Sequence, residues 1–446
     1  MPAADSIAAI ATAPGRGGIG VVRVSGGSLT ALATALTGKQ LEPRRATLAT
    51  FNAANGTAID QGLAFYFPAP HSFTGEDVVE LHGHGGNVVM QLLLQRCIEL
   101  GCRLAEPGEF TRRAFLNDKL DLAQAESVAD LIDAASAEAA RSAVRSLVGE
   151  FSLRIDALLR GLIELRMHVE ACIDFPEEEI DPADRATVQM KLGQIQAQLD
   201  GLLAEARQGA VLRDGLTVAL IGRPNVGKSS LLNRLAGEDV AIVTPIAGTT
   251  RDQVRATITL EGVPIHLIDT AGLRPTDDPV EQIGIERTWQ AVGKAGAALL
   301  ISEAGEAVGE NEARIVQQLP EDLPLAWVYN KIDLHGLQPS MRRDARHTNI
   351  RLSAQFGEGI GLLRQWLLET AGWLPHGEGV FMARARHLHA LRSAKECLAR
   401  AALELGRWEL LAEELRLAQM ELAAITGEFT ADDLLGQIFS RFCIGK

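Results

Sequence analysis

Gly222-Arg223-Pro224-Asn225-Val226-Gly227-Lys228-Ser229 is the stretch from which the rest of this chain can be read. It fits G-x-x-x-x-G-K-[ST], a loop whose backbone N–H groups and lysine hold β- and γ-phosphates while the serine oxygen holds Mg²⁺. Its flanks are those the motif requires. Leu216-Thr217-Val218-Ala219-Leu220-Ile221 is an apolar run of strand length, and Ser230-Leu231-Leu232-Asn233-Arg234-Leu235 opens a helix whose N-terminus offers free N–H groups to an anion. The reading is a P-loop domain of Ras-like α/β type, with Asn225, Val226, Gly227, Lys228, Ser229 and Ser230 at the phosphates and Lys228 supplying positive charge for catalysis.

Three further motifs follow in order, each at the end of an expected strand. Asp269-Thr270-Ala271-Gly272 closes Val263 to Ile268 and puts a carboxylate where a Mg²⁺ partner belongs. Asn330-Lys331-Ile332-Asp333 closes Leu325 to Tyr329. The Asp333 carboxylate can accept from the guanine N1–H and 2-amino group, a donor pair that adenine lacks. Leu352-Ser353-Ala354 then supplies a base-edge loop through Ser353 and Ala354. Together the four motifs specify a guanine-nucleotide site.

Two positions bear on hydrolysis. Leu273 follows Asp-Thr-Ala-Gly, where small signalling GTPases carry a water-orienting glutamine. Either hydrolysis is negligible or another group orients the water; Glu281 is the candidate, its alternative being a solvated surface carboxylate. Phosphoryl transfer also needs positive charge between the β- and γ-phosphates, and no arginine finger is evident. The Asn225 amide oxygen, with carbonyls from the loop Thr244-Pro245-Ile246-Ala247-Gly248-Thr249-Thr250-Arg251-Asp252, can coordinate a monovalent cation such as potassium instead. Gly248 permits the sharp turn, and Thr250 is the threonine expected on Mg²⁺ and the γ-phosphate.

The composition bounds the rest. A chain of 446 residues accommodates two to four domains. No run approaches the length of apolar sequence that spans a bilayer, and the N-terminus lacks the basic and apolar regions of a signal peptide. Cys97, Cys102, Cys172, Cys397 and Cys443 are scattered, without C-x-x-C or metal-ligand spacing, so a reduced, cytoplasmic protein is expected. The net charge of −14 and pI of about 5.3 argue against a general polyanion binder, though not against a local basic patch.

Along the chain, residues 1–117 read as mixed α/β. Strands are expected at Ile7 to Ala11, Ile19 to Val24, Gly62 to Phe67 and Val78 to His82, and a helix from Asn87 to Leu100 with Asn87 as N-cap. The loop Pro14-Gly15-Arg16-Gly17-Gly18 is a tight turn or an anion site; His82-Gly83-His84 lines a site or serves structure, a metal reading lacking a third ligand. Helical texture runs from 118 to 212 with a break at the acidic run Pro176 to Pro182, the nucleotide domain occupies 213–372, and helix returns over 373–446. The economical fold is multidomain α+β and α/β: an N-terminal domain, then a helical domain into which the nucleotide domain is inserted.

At this point the sequence resembles the family of tRNA-modification GTPases called MnmE or TrmE. The resemblance rests on Pro14 to Gly18, His71-Ser72-Phe73-Thr74-Gly75-Glu76-Asp77, Gly83-His84-Gly85-Gly86, Pro107-Gly108-Glu109-Phe110-Thr111, Ala114 to Leu122, Gly248 to Asp252, Ile283 to Arg287 and the terminal Phe442-Cys443-Ile444-Gly445-Lys446. It implies a homodimer formed through an N-terminal folate-binding domain that carries a tetrahydrofolate derivative, 5-formyl or 5,10-methylene, with Arg23, Glu80, Lys119 and Lys446 at the folate. It also implies a heterotetramer with the FAD-dependent partner MnmG (GidA), which modifies C5 of the wobble uridine of certain tRNAs. Potassium would be held by Asn225, Thr244, Ile246 and Thr249, Mg²⁺ by Ser229 and Thr250, and the water oriented by Glu281, hydrolysis being activated as the nucleotide domains dimerise. Cys443 stands where the family has a cysteine near the folate. A non-catalytic GTP switch for ribosome or RNA assembly is the alternative; it leaves the N-terminal motifs and the Cys-x-Gly-Lys end without a role. A simple folate-dependent methyltransferase leaves the GTP motifs unexplained.

Overall fold

The computed structural model describes residues 5–174, 182–223, 225–237, 254–269, 293, 295–306, 309–374, 380–428, 432–440 and 442–445. The chain divides into two compact units, one made of Met1–Ala129, Ser146–Gln196 and Ser393–Lys446, the other of Asp130–Arg145 and Ala197–Arg392.

In the first unit a six-stranded sheet has the order β3-β4-β5-β2-β1-β6. Its strands are β1 (Ile7–Ile10), β2 (Gly17–Gly26), β3 (Thr47–Asn52), β4 (Ala58–Phe67), β5 (Asp77–Gly85) and β6 (Arg103–Leu104). All neighbours are antiparallel except β1 and β6. Period-2 alternation explains the layers. Val22, Val24, Ala49, Phe51, Ala64, Val79 and Leu81 turn to one core with Leu32, Leu36, Met90 and Leu93 of the helices Thr30–Thr37 and Asn87–Glu99. Ile7, Ala9, Ala105 and Phe110 form a second small core that includes the helix Glu109–Leu116. Arg23, between Val22 and Val24, therefore emerges on the side of Ala9 and Phe110.

The same unit holds a helical part. In Glu150–Asp174 the buried Phe151, Ile155, Leu158, Leu162, Leu165 and Val169 alternate steps of four and three, and Trp408, Leu411, Leu415, Ala418, Leu422 and Ile425 do so in Trp408–Thr426. That is the seam spacing of packed helices. The short helix Asp432–Phe439 buries Leu435, Ile438 and Phe439 against Leu122 and Ala125.

The second unit contains a seven-stranded sheet of order β12-β13-β11-β10-β7-β9-β8. The strands are β7 (Leu216–Gly222), β8 (Val254–Leu260), β9 (Val263–Asp269), β10 (Ala297–Glu303), β11 (Leu325–Asn330), β12 (Ser340–Arg343) and β13 (Thr348–Arg351). The five inner strands are parallel; the edges β8 and β12 run antiparallel. Apolar side chains fill both faces, as a parallel sheet covered by helices demands. The chain's entry to this sheet and its return from it are tied together. Gln208 donates to the Gly372 carbonyl (2.9 Å) and accepts from the Leu374 N–H (3.0 Å), while the Asp130 carboxylate accepts from Arg213 (2.8 Å) and Arg384 (2.7 Å).

Several boundaries differ from the sequence reading. β2 begins at Gly17, so only the start of the Gly-rich segment is a turn. Gly86, not Asn87, occupies the cap of the helix Asn87–Glu99, and no side chain caps it. The helical stretch after 118 is three helices, Leu122–Ile132, Ala137–Leu147 and Glu150–Asp174, because Ser136 caps the second (Ala139 N–H to Oγ, 3.0 Å) and Gly149 takes a left-handed φ of 92°. The helical stretch after 381 is likewise two helices, Ala385–Leu403 and Trp408–Thr426. The acidic run before Pro182 and most of the linker 372–379 lie outside the described residues.

Candidate functional site

β7 delivers the chain to the phosphate loop at the carboxyl edge of the parallel sheet, where such sheets bind ligands. The helix Lys228–Ala236 starts directly after Gly227. The loop is held in a form that few residues could adopt. Asn225 has φ 65°, Gly227 has φ 94°, and a Cβ at Gly227 would collide with the Asn330 amide nitrogen. The Lys228 ammonium donates to the Gly222 carbonyl at 2.5 Å, closing the loop on itself.

Asn330, at the end of β11 and 2% exposed, links three of the sequence motifs. Its Nδ2 donates to the Val226 carbonyl (2.9 Å) in the phosphate loop, and its Oδ1 accepts from the Ala354 N–H (2.9 Å) in the base-edge loop. One buried amide thus fixes residues 225–228 and residues 353–354 relative to each other. Lys331 follows in the left-handed region (φ 63°) and pairs with Glu303 at the end of β10. Asp333 sits in the next turn, Ile332–His335, and its Oδ1 is buried with no hydrogen-bond partner among the described residues. An unpaired buried carboxylate oxygen is costly, and a donor pair such as that of guanine removes the cost. Ser353 is buried, and its hydroxyl accepts from the Phe356 N–H at 3.3 Å. Arg234, on the helix after the phosphate loop, donates to the carbonyls of Ala354 and Gln355.

A second polar cluster lies on the N-terminal sheet. Arg23 and Glu80 are register partners on β2 and β5, and their side chains pair at 2.8 Å. His82 Nε2 meets the other Glu80 oxygen at 3.1 Å. Burial works against the Glu80 charge, but Arg23 and His82 hold its carboxyl below the ordinary carboxylate range. The Arg23 guanidinium stands 5.7 Å from the centre of the Phe73 ring and 5.8 Å from that of Phe110. The segment carrying Phe73 also receives Lys119, whose ammonium donates to the Pro70 carbonyl at 3.1 Å. The residues Phe442 to Gly445 reach the same domain: the Gly108 N–H donates to the Cys443 carbonyl at 3.3 Å, Pro107 bridges to Ile444, and Cys443 is exposed. Among the described residues no group of three or more His, Cys, Asp and Glu can hold a metal ion. His84 Nδ1 is instead paired with Asp60 at 2.8 Å.

Comparison with known proteins adds to this geometry. A solved G domain of the T. maritima FeoB iron transporter is 25% identical, covering 35% of this chain and 98% of that chain with a TM-score of 0.27. The profile described as "GTP-binding protein TrmE N-terminus" matches residues 6–119, and the one described as "MnmE helical domain" matches residues 122–443. Proteins named "tRNA modification GTPase MnmE" from Azoarcus sp. (strain BH72) and Thiobacillus denitrificans are each 61% identical; the match covers 99% of this chain and 98% of the first relative, and 100% and 99% for the second. The chain belongs to the MnmE family.

In this MnmE-family chain Asn330 links the segment Asn225 to Ser230 with Ala354, with Lys331 and Asp333 following it in the chain and Ser353 preceding Ala354. Asp269 ends β9, next to β7 in the sheet. Arg23 and Glu80 are in contact, and Lys119 joins the segment that carries Phe73. Thr244, Pro245, Ile246, Ala247, Gly248, Thr249, Thr250, Thr270, Ala271, Gly272, Glu281 and Lys446 lie outside the described residues. Sequence reasoning missed Arg234 and Glu303. Each acts on a motif more than 25 residues away in the chain, so no local pattern marks it.

Proposed function

We propose that this GTPase of tRNA modification is the GTP-hydrolysing subunit of a complex that installs an aminomethyl or carboxymethylaminomethyl group at C5 of the wobble uridine of certain tRNAs. In this reading it works in the cytoplasm as a homodimer. With the FAD-dependent partner MnmG it forms a heterotetramer, and it carries the tetrahydrofolate derivative that donates one carbon. The observation that carries the nucleotide half is Asn330, bonded at once to Val226 and Ala354, with Asp333 three residues on holding an Oδ1 that has no hydrogen-bond partner among the described residues. Family membership supports the tRNA half.

Each residue then has a physical task. Asp333 accepts from the guanine edge, which excludes adenine. Lys228 exchanges the Gly222 carbonyl for phosphate oxygens, and the N–H groups at the start of Lys228–Ala236 face the same charge. Ser229 and Thr250 would hold Mg²⁺, which would supply positive charge at the phosphates. The Asn225 amide oxygen, with Thr244, Ile246 and Thr249, would hold potassium in place of an arginine finger, and Glu281 would orient the water. In the N-terminal domain Arg23, Glu80, Lys119 and Lys446 offer a carboxylate and three cations, a set suited to a pterin ring and a glutamate tail.

The guanine assignment is tested by Asp333→Asn. An amide keeps one neutral acceptor for N1–H but turns its NH₂ towards the guanine 2-amino group, and that same NH₂ donates to the extra carbonyl of xanthine. One charge-assisted bond lost and one donor set against a donor, at about 1.5–3 kcal/mol each, put the loss of GTP affinity at about a hundredfold or more. Xanthosine triphosphate should bind the variant more tightly than GTP; undiminished GTP binding would remove Asp333 from the site.

A further inference from the structure

The nucleotide-domain sheet ends in a hairpin that the guanine cleft does not use. Residues 340–351 carry Arg342, Arg343, Arg346 and Arg351 against the single acid Asp344, in a chain of net charge −14. Strand alternation sorts these residues by face. Met341 and Ile350 pair in register and turn to the core, and Arg343 reaches Glu369 on the helix Ile360–Ala371. The opposite face is built by two register rows: Tyr329, Arg351 and Ser340, then Trp327, Asn349 and Arg342, across β11, β13 and β12. The His347 ring stacks on Trp327 at 4.6 Å with a 19° interplanar angle, and Tyr329 is half-buried beside Arg351. Arg342 is 83% exposed, and its nearest acid, Asp344, is 3.6 Å away and shared with His347 and Asn349. Arg346 and Arg351 are also exposed.

We propose that this edge face is a binding surface for a short single-stranded segment of the substrate RNA, resting on the tRNA reading above. Positive charge gathered at one place in an otherwise acidic chain is complementary to a phosphate backbone. The His347 ring, seated on a Trp327 that itself packs against the sheet's apolar core, and the half-buried Tyr329 lie among these arginines and offer bases a stacking platform, which single-stranded RNA uses and a duplex does not. Arginines on an edge strand also keep sheets from pairing edge to edge, a task that charge of either sign performs.

Charge reversal separates the two roles. Binding of unmodified tRNA to the full chain is followed by fluorescence anisotropy across a salt series, for wild type and for Arg342→Glu/Arg346→Glu. The variant keeps a charged edge, so its melting temperature and its GTP hydrolysis in the absence of RNA stay at the wild-type level. Its RNA affinity falls at least tenfold at low salt, and the slope of log K against log salt drops by about 1.5, at 0.7–0.9 per phosphate contact. An oligouridylate competes for the wild-type surface and an RNA duplex does not. Unchanged affinity and slope, equal competition by the duplex, or no RNA binding by the wild type each overturns the surface. Nucleoside analysis of tRNA from a strain lacking its own copy, with and without the wild-type chain, decides the tRNA reading separately.

Discussion

At the residue scale, the two polar centres show opposite ways of using buried charge. In the nucleotide domain, Asp333 is left with an oxygen that has no hydrogen-bond partner among the described residues. At the foot of the N-terminal domain, Glu109, 1% exposed, is fully engaged: it pairs with Arg103 and with Arg113 (2.9 Å), and Arg113 in turn binds Glu76 (3.0 Å) and Asp5 (2.8 Å). Burial alone would raise the Glu109 pKa, but hydrogen bonds from Arg103, the Glu106 N–H and Arg113 lower it from 4.5 to about 2. A folded-state pKa below the unfolded one makes this contribution complete above about pH 4.5 and lost progressively as pH falls towards about 2. Melting temperature followed across that window should decline steeply for the wild type. For Glu109→Gln it should be lower at neutral pH and flatter below; identical acid limbs would show that Glu109 carries none of this linkage. The P-loop and the Asn330-Lys331-Ile332-Asp333 motif were legible in the sequence, each at a strand end, because the pattern that marks each is local. The Glu109 network and the Arg234 tie were not, since each joins residues far apart in the chain whose types are also ordinary on a protein surface.

At the scale of elements, helices and parallel strands followed their hydrophobic periods, and the departures have local causes. Ser136 and Gly149 split one expected helix into three, and polar Arg342-Arg343-Asp344 concealed an edge strand whose stability comes from β13 rather than from its own pattern. Gly209 tests how far helix rules extend. It lies inside the helix Pro182–Asp214, where alanine should stabilise by about 1 kcal/mol on intrinsic propensity. A Cβ there would overlap the Phe381 carbonyl on the segment returning from the nucleotide sheet. Gly209→Ala is therefore expected to lower the melting temperature instead of raising it, by forcing apart the join that Gln208 makes with Gly372 and Leu374. A rise in melting temperature would mean that this close approach is easily relaxed.

At the scale of the whole molecule, the chain combines a P-loop nucleotide domain, an N-terminal domain with a half-buried Arg23–Glu80 pair and a helical part, and it belongs to a family of tRNA-modifying GTPases. What the sequence could not convey at this scale is the joining of chain entry and return through Asp130, because the three residues lie on segments separated by more than 80 positions. In the proposed function GTP is hydrolysed with a bound monovalent cation acting in place of an arginine finger. The rate of hydrolysis is measured for the purified chain in potassium and in sodium at equal ionic strength, with Asn225→Ala alongside. A large stimulation specific to potassium, lost in the variant, is expected. Equal slow rates in both salts would contradict it.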